Sequence, residues 1–255
     1  MSINEIYTVI LALITSASAS LVGSFALMKR MTLAGDAISH VALPGIGLAL
    51  LFGMNPTLGA TAALLVGILL IWNLEKRTGL ATETMIGVVF SASLAIGALI
   101  TPQEELEQAL FGGFAPISFP AFLIYALLSV LVILSVMALR HRLVLGLFSS
   151  DLALASGVKL KRLNLYFLLL FGLVIVLGLR LLGALLVGSL IIIPAAIGRQ
   201  LAHTFSGFIS MSIAAGLLSV ILGLAVARYY GLDVGPTIVT VAAGLFILSL
   251  LKKRI

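Results

Sequence analysis

Asp36-Ala-Ile-Ser-His40 places a carboxylate and an imidazole four residues apart near the start of a long apolar stretch. They are the only acid and the only histidine inside the hydrophobic segments of the chain. On a helix, this spacing puts both side chains on one face with Cβ atoms about 5–6 Å apart, so one cation can touch both. Neutral imidazole with carboxylate suits a borderline divalent ion such as zinc, and manganese also accepts nitrogen and oxygen ligands. An ionisable residue held in hydrocarbon is costly and points to function by default. The remaining acids (Glu5, Glu75, Glu83, Glu104, Glu105, Glu107, Asp151, Asp233) and the histidines His141 and His203 fall in or beside breaks between apolar runs.

Two ligands do not close a metal site, since structural zinc takes four. A two-fold dimer with both copies of this helix at its axis would supply two His and two Asp. Ser39 could lend a weaker oxygen. Pro44 lies four residues beyond His40, so its missing N–H frees the His40 carbonyl and is expected to kink the helix there. Two other readings stay open: an Asp–His pair that only fixes helix packing, and a proton relay. A relay normally needs further titratable groups, and the other apolar segments hold none.

The elements that position this pair are membrane helices. With 255 residues, 62% of them hydrophobic, 9% charged and a mean hydropathy of +1.28, the chain lies far from a soluble domain, whose charged fraction is about 25%. Apolar runs recur at lengths near the roughly 20 residues that cross a bilayer as helix, and no polar block is long enough for a soluble domain. The expected fold class is therefore an all-α integral membrane protein, a polytopic bundle of about 8–9 transmembrane helices in one permease domain over 1–255. The absence of Cys excludes disulfides and thiolate metal sites. The net charge of +6 has little to do with nucleic acid, because most basic residues sit in short breaks where they set topology.

Candidate spans run at about 6–28, 31–52, 57–74, 84–101, 119–139, 163–179, 181–198, 207–227 and 236–251. The first is read as a span, not a cleaved leader, because Glu5 precedes it while Lys29 and Arg30 follow it, the reverse of a secretory signal. If the spans alternate, Lys29, Arg30, Lys76, Arg77, Arg140, Arg142, Lys159, Lys161, Arg162, Arg199, Lys252, Lys253 and Arg254 share one face, against Arg180 and Arg228 opposite. That asymmetry makes the first face cytoplasmic, with the N-terminus outside. With the second span starting near Met31, a rise of about 1.5 Å per residue puts Asp36 roughly 7 Å and His40 roughly 13 Å into a core about 30 Å thick. The 181–198 segment is short and follows its predecessor almost directly, so it is the candidate for a broken or re-entrant element.

Outside, Glu104, Glu105 and Glu107 precede Phe111-Gly-Gly-Phe-Ala-Pro116, an acidic loop that is either merely solvated, a mouth that concentrates cations, or a docking point for a partner. Inside, Ser149-Ser-Asp151-Leu-Ala-Leu-Ala-Ser-Gly157 reads as a short helix with Ser150 or Asp151 as N-terminal acceptor and a left-handed Gly157 at its end. A second break, Gly198-Arg-Gln-Leu-Ala-His203, follows Pro194. These two loops are either ordinary connectors or a surface for another protein. No inverted repeat is visible, and no HExxH, GxSxG or phosphate loop occurs, so no catalytic residue and no ATP hydrolysis by this chain are expected.

The chain resembles the membrane permease of bacterial ABC importers for zinc and manganese, most closely its zinc-uptake branch. The resemblance covers nearly the full length. It is carried by Met28-Lys-Arg-Met31 running into Gly35-Asp36-Ala-Ile-Ser-His40, by Asp151-Leu-Ala-Leu-Ala-Ser-Gly-Val-Lys-Leu160, by Gly183-Ala-Leu-Leu-Val with Ile191-Ile-Ile-Pro-Ala-Ala196, and by Phe246-Ile-Leu-Ser-Leu-Leu-Lys252. The resemblance implies a homodimeric, multi-pass permease of the bacterial inner membrane, bound inside by ATP-binding cassette ATPases and fed from outside by a metal-binding solute receptor. It maps the transported Zn2+ or Mn2+ onto Asp36 and His40, with no permanently bound cofactor. It also implies about eight spans, and an ATPase contact through a short cytoplasmic helix at Ala195 to Thr204, with Ser150 to Gly157 second. Where similar permeases read Pro-Ser-Gly or Pro-Ala-Gly near the last span, this chain has Asp233-Val-Gly-Pro236. The competing reading is an ATPase-independent secondary transporter or channel that uses Asp36 and His40 for ions or protons.

Overall fold

The computed structural model describes residues 3–31, 33–101, 114 and 116–251. Glu104, Glu105 and Glu107, most of the turn after them, and the cations Lys252, Lys253 and Arg254 lie outside the described residues. What is described is helical throughout. The helices are α1 (Ile3–Met28), α2 (Ala34–His40), α3 (Leu43–Leu51), α4 (Pro56–Thr78), α5 (Thr82–Ile100), α6 (Phe119–Phe148), α7 (Ser150–Ala155), α8 (Leu160–Leu179), α9 (Leu186–Leu201), α10 (Phe205–Tyr230) and α11 (Val234–Leu250).

The candidate spans map onto these elements one by one, with α2 and α3 sharing the second. Seven helical stretches are long and apolar enough to cross a bilayer, and α9 and α11 are shorter apolar helices. The segment suspected of being broken is α9. The chain is helical from Leu160 to Leu201 except at Gly183, whose φ of 76° and ψ of 167° lie outside the range open to other residues. Gly178 and Val187 abut so closely that a Cβ on the glycine would collide with the valine side chain. In a straight helix, nine residues would span about 13 Å, so the contact requires α8 and α9 to fold back on each other at Gly183.

The inner layer is α1 with α9 and α10. Fourteen residues of α1 are buried, including Ser16, Ser18, Ser20 and Ser24, and small side chains let its neighbours approach at backbone distance. The outer layer is α4, α5 and α6, whose apolar windows are only 28%, 28% and 17% buried. Leu99, Leu127 and Leu134 stand exposed there, as expected of side chains that face lipid. Between the layers, α3 crosses α4 where Gly45 and Gly59 meet carbonyl against Cα, and a methyl on either would strike the other's carbonyl oxygen. That crossing holds the α2–α3 limb, and so the Asp36–His40 pair, against the bundle.

Two local expectations need correction. The short helix α7 is capped by Ser149, not Ser150 or Asp151: the Ser149 hydroxyl accepts from Leu152 N–H at 3.2 Å. Its other end is as expected, with Gly157 left-handed (φ 74°) and the Val158 N–H bonded back to the Ala153 carbonyl at 2.9 Å. The segment Ala195 to Thr204 is not a separate helix. Pro194 sits inside α9, which runs on to Leu201 before Ala202 ends it and Thr204 caps α10. Ala195 and Ile197 are buried and Gly198 lies against Ser212 and Phe208 of α10, and this packing outweighs the roughly 3 kcal/mol a mid-helix proline costs.

Candidate metal site and its neighbours

Pro44 breaks the second span as anticipated. The helix ends at His40, Val41 and Ala42 turn through tighter i→i+3 bonds (Val41 N–H to Ile38 at 3.0 Å, Ala42 N–H to Ser39 at 3.2 Å), and α3 restarts with Pro44 in its first turn. The break leaves His40 as the last residue of α2 and Asp36 in its first turn. His40 Nε2 and Asp36 Oδ1 are 3.8 Å apart. That is within reach of one shared cation, and too long for a good hydrogen bond between them.

The pair is unevenly buried. The His40 side chain is 15% exposed and the Asp36 side chain 51%, so the carboxylate is the open side of the pair. The imidazole ring lies 5.6 Å from that of Phe90 on α5, and its Nδ1 is buried without a hydrogen-bond partner. A buried, unpaired ring nitrogen is expensive unless something binds it. Ser39 is not available as an oxygen donor on this face: it is fully buried and its hydroxyl donates to the Asp36 carbonyl at 2.7 Å. Among the described residues no group of three or more His, Cys, Asp or Glu gathers, so a single protomer offers two strong ligands.

Backbone packing decides where Asp36 sits. Helix α2 lies on α9, and a Cβ at Gly188 would come within 3.2 Å of the Asp36 N and Cα. Gly35 likewise rests on the Ile191 side chain, at 3.4 Å from where its Cβ would be. The short helix after Gly183 is therefore the seat of the candidate site.

A second polar cluster escaped the sequence reading, which treated its charges only as topology signals. Just past α1, the Lys29 ammonium donates to Asn164 Oδ1 on α8 and lies 4.7 Å from the centre of the Phe167 ring. Asn164 in turn donates to both Glu75 oxygens on α4 (3.0 and 2.8 Å) and approaches the Thr82 hydroxyl of α5 at 3.4 Å. Burial lowers the Lys29 pKa from 10.5 to about 8, against the opposing pull of Glu75. The detectable signal was Asn164 itself, an amide at the head of an otherwise apolar run. The other acids are elsewhere: Glu83 and Asp151 are exposed in the first turns of α5 and α7, and the Asp233 carbonyl accepts from Thr237 at the start of α11.

Comparison with known proteins places the chain as a whole. The chain is 31% identical over 253 residues to the high-affinity zinc uptake system membrane protein ZnuB of Haemophilus influenzae, covering 96% of this chain and 95% of that one. It is also 31% identical over 248 residues to the manganese transport system membrane protein MntC of Listeria monocytogenes, covering 94% and 89%. The solved structure of PsaBC from Streptococcus pneumoniae in complex with Fab superposes with a TM-score of 0.81 at 27% identity, over 95% of this chain and 89% of that one. The apolar helices and these relatives make it a multi-pass protein of the bacterial inner membrane. The ABC 3 transport family matches residues 4–253, essentially the whole helical bundle built around α9, and the chain belongs to that family.

Proposed function

We propose that this chain is the transmembrane permease of an ABC-type divalent metal importer, with zinc ahead of manganese as cargo, and that Asp36 and His40 are its metal ligands. The observation that carries the reading is the half-made site: a carboxylate oxygen and the imidazole Nε2 3.8 Å apart on one helix face, with the carboxylate half-exposed. A second copy of the permease at a two-fold axis would bring the count to two His and two Asp, enough to hold an ion briefly. The whole chain acts as one permease domain, and no resident cofactor is needed.

Energy comes from ATP-binding cassette ATPases on the cytoplasmic side. Helix α7 and the α9–α10 junction at Ala195 to Thr204 are their contact points, and a metal-binding solute receptor delivers cargo from outside. In membranes reconstituted with the ATPase and receptor, metal should stimulate both ATP hydrolysis and uptake, and Asp36→Asn or His40→Ala should abolish the uptake. Transport by the permease alone at the same rate would overturn this in favour of an ATPase-independent carrier.

A further inference from the structure

Beside α7, away from Asp36 and His40, a cavity of about 290 Å³ opens where the end of α6 meets the start of α8. Its rim is Arg142 from α6, Lys159 from the α7–α8 connection and Arg162 from α8; no carboxylate lines it, and among the described residues none of the three cations is in an ion pair. All three are exposed, yet they converge from three separate pieces of chain on one concavity. Its lining is mixed, with Leu139 and the buried Leu163 beside the cations, and Tyr166 stands exposed one helical turn beyond Arg162.

Depth in the bilayer identifies the occupant. The apolar run of α6 ends at Leu139, another wall of the cavity, and cations begin at Arg140, so Leu139 marks the edge of the hydrocarbon on the cytoplasmic face. Arg142, Lys159 and Arg162 then lie at headgroup level, with Tyr166 at the depth where amphipathic aromatics collect. The backbone amides of Gly157 and Val158 at the cavity are spent on the α7 cap, which leaves the side chains to hold a ligand. The N-terminal turn of α8 starts at Lys159 with no side-chain cap and adds positive potential there. The adjacent α6 surface is lipid-facing, with 17% of its apolar window buried. The cations suit a phosphate and the exposed apolar face of α6 beside them suits acyl chains, so an anionic phospholipid fits both. Basic pockets between membrane helices on this side commonly take such headgroups.

We infer that the cavity formed by Arg142, Lys159 and Arg162 over Leu139 and Leu163 is a binding site for the phosphate headgroup of an anionic phospholipid, which braces α7 against the bundle. The test is retention of phosphatidylglycerol against phosphatidylcholine by the purified intact permease, read by native mass spectrometry. Retention of phosphatidylglycerol should fall about fivefold for each cation removed in Arg142→Gln, Lys159→Gln and Arg162→Gln. Arg140→Gln takes a charge from the same helix end but lines a different cavity, and should leave retention unchanged. The exposed positions should leave the melting temperature in phosphatidylcholine unaltered, which separates lost binding from lost folding. Equal retention of the two lipids, or full retention by the triple variant, overturns the proposal. Displacement by inorganic phosphate alone would make the site one for a free anion. Displacement by an added ATPase subunit would make it a protein contact, and either result also overturns it.

Discussion

Two polar clusters, one around Lys29 and one at Asp36 and His40, differ in completeness. Around Lys29, every group has a partner: ammonium to amide, amide to carboxylate, and an aromatic face over the charge. At Asp36 and His40 the two groups only approach each other, one half-exposed and the other with an idle nitrogen. A polar cluster that satisfies itself joins helices, while one that is left unsatisfied needs something from outside the chain. The first ties the ends of α1, α4 and α8 together, and the second is where, on the proposed function, an ion and a second copy would complete the count.

Four measurements can break or sharpen that contrast. The largest effect is expected at the open cluster: Asp36→Asn should lower metal uptake by more than about 100-fold, above the 10–100-fold typical of removing a mere outer-sphere partner of a metal ligand. Unfolding stability of the same variant should stay within about 0.5 kcal/mol of the parent. If stability falls instead and uptake survives, the pair is structural.

Asn164→Leu attacks the closed cluster and should show the opposite pattern. It strands Lys29 and Glu75 together, so stability should drop by about 2 kcal/mol, as for a lost hydrogen bond to a charged group, while uptake per folded molecule is retained. Detergent unfolding curves paired with transport assays would separate the two. Gly188→Ala should act between these extremes. Its methyl presses on the Asp36 backbone at 3.2 Å, and a strain near 1 kcal/mol corresponds to about a fivefold loss of uptake.

The smallest effect is a pH dependence. The Lys29 pKa is depressed to about 8 in the folded protein, so between about pH 8 and 10.5 the unfolded chain holds a proton that the folded one has released. Stability should therefore rise with pH across that window, the burial penalty being present in full below it. A gain in melting temperature of about 2–3 °C between pH 7 and 8.5 should be absent in Lys29→Met. An identical gain in that variant would assign the effect to another group.

Much of this contrast was visible in the residues. Asp36 and His40 stand out because charge in an apolar run is rare, and i,i+4 spacing fixes their proximity if the segment is helical. Pro44 announced the break behind them. The Lys29 cluster was invisible because its members come from separate polar breaks, and only tertiary packing brings Asn164 between Lys29 and Glu75. The Ala195 to Thr204 helix was misplaced for a related reason: Pro194 signals an end locally, but the buried Ala195, Ile197 and Gly198 faces hold the helix together past it. The fold-back at Gly183 was legible only as a span too short for its place. Its geometry depended on one φ angle that no pattern of hydrophobicity encodes.

That fold-back gives α9 the mechanics of a lever. With Gly183 as fulcrum, Gly188 is five residues away and Leu201 eighteen, distances of about 7.5 and 27 Å along the helix. Any tilt about the hinge that carries the cytoplasmic tip by about 4 Å moves the Asp36 seat by only about 1 Å. Geometry alone thus scales any displacement of the tip down about fourfold at the backbone that seats Asp36.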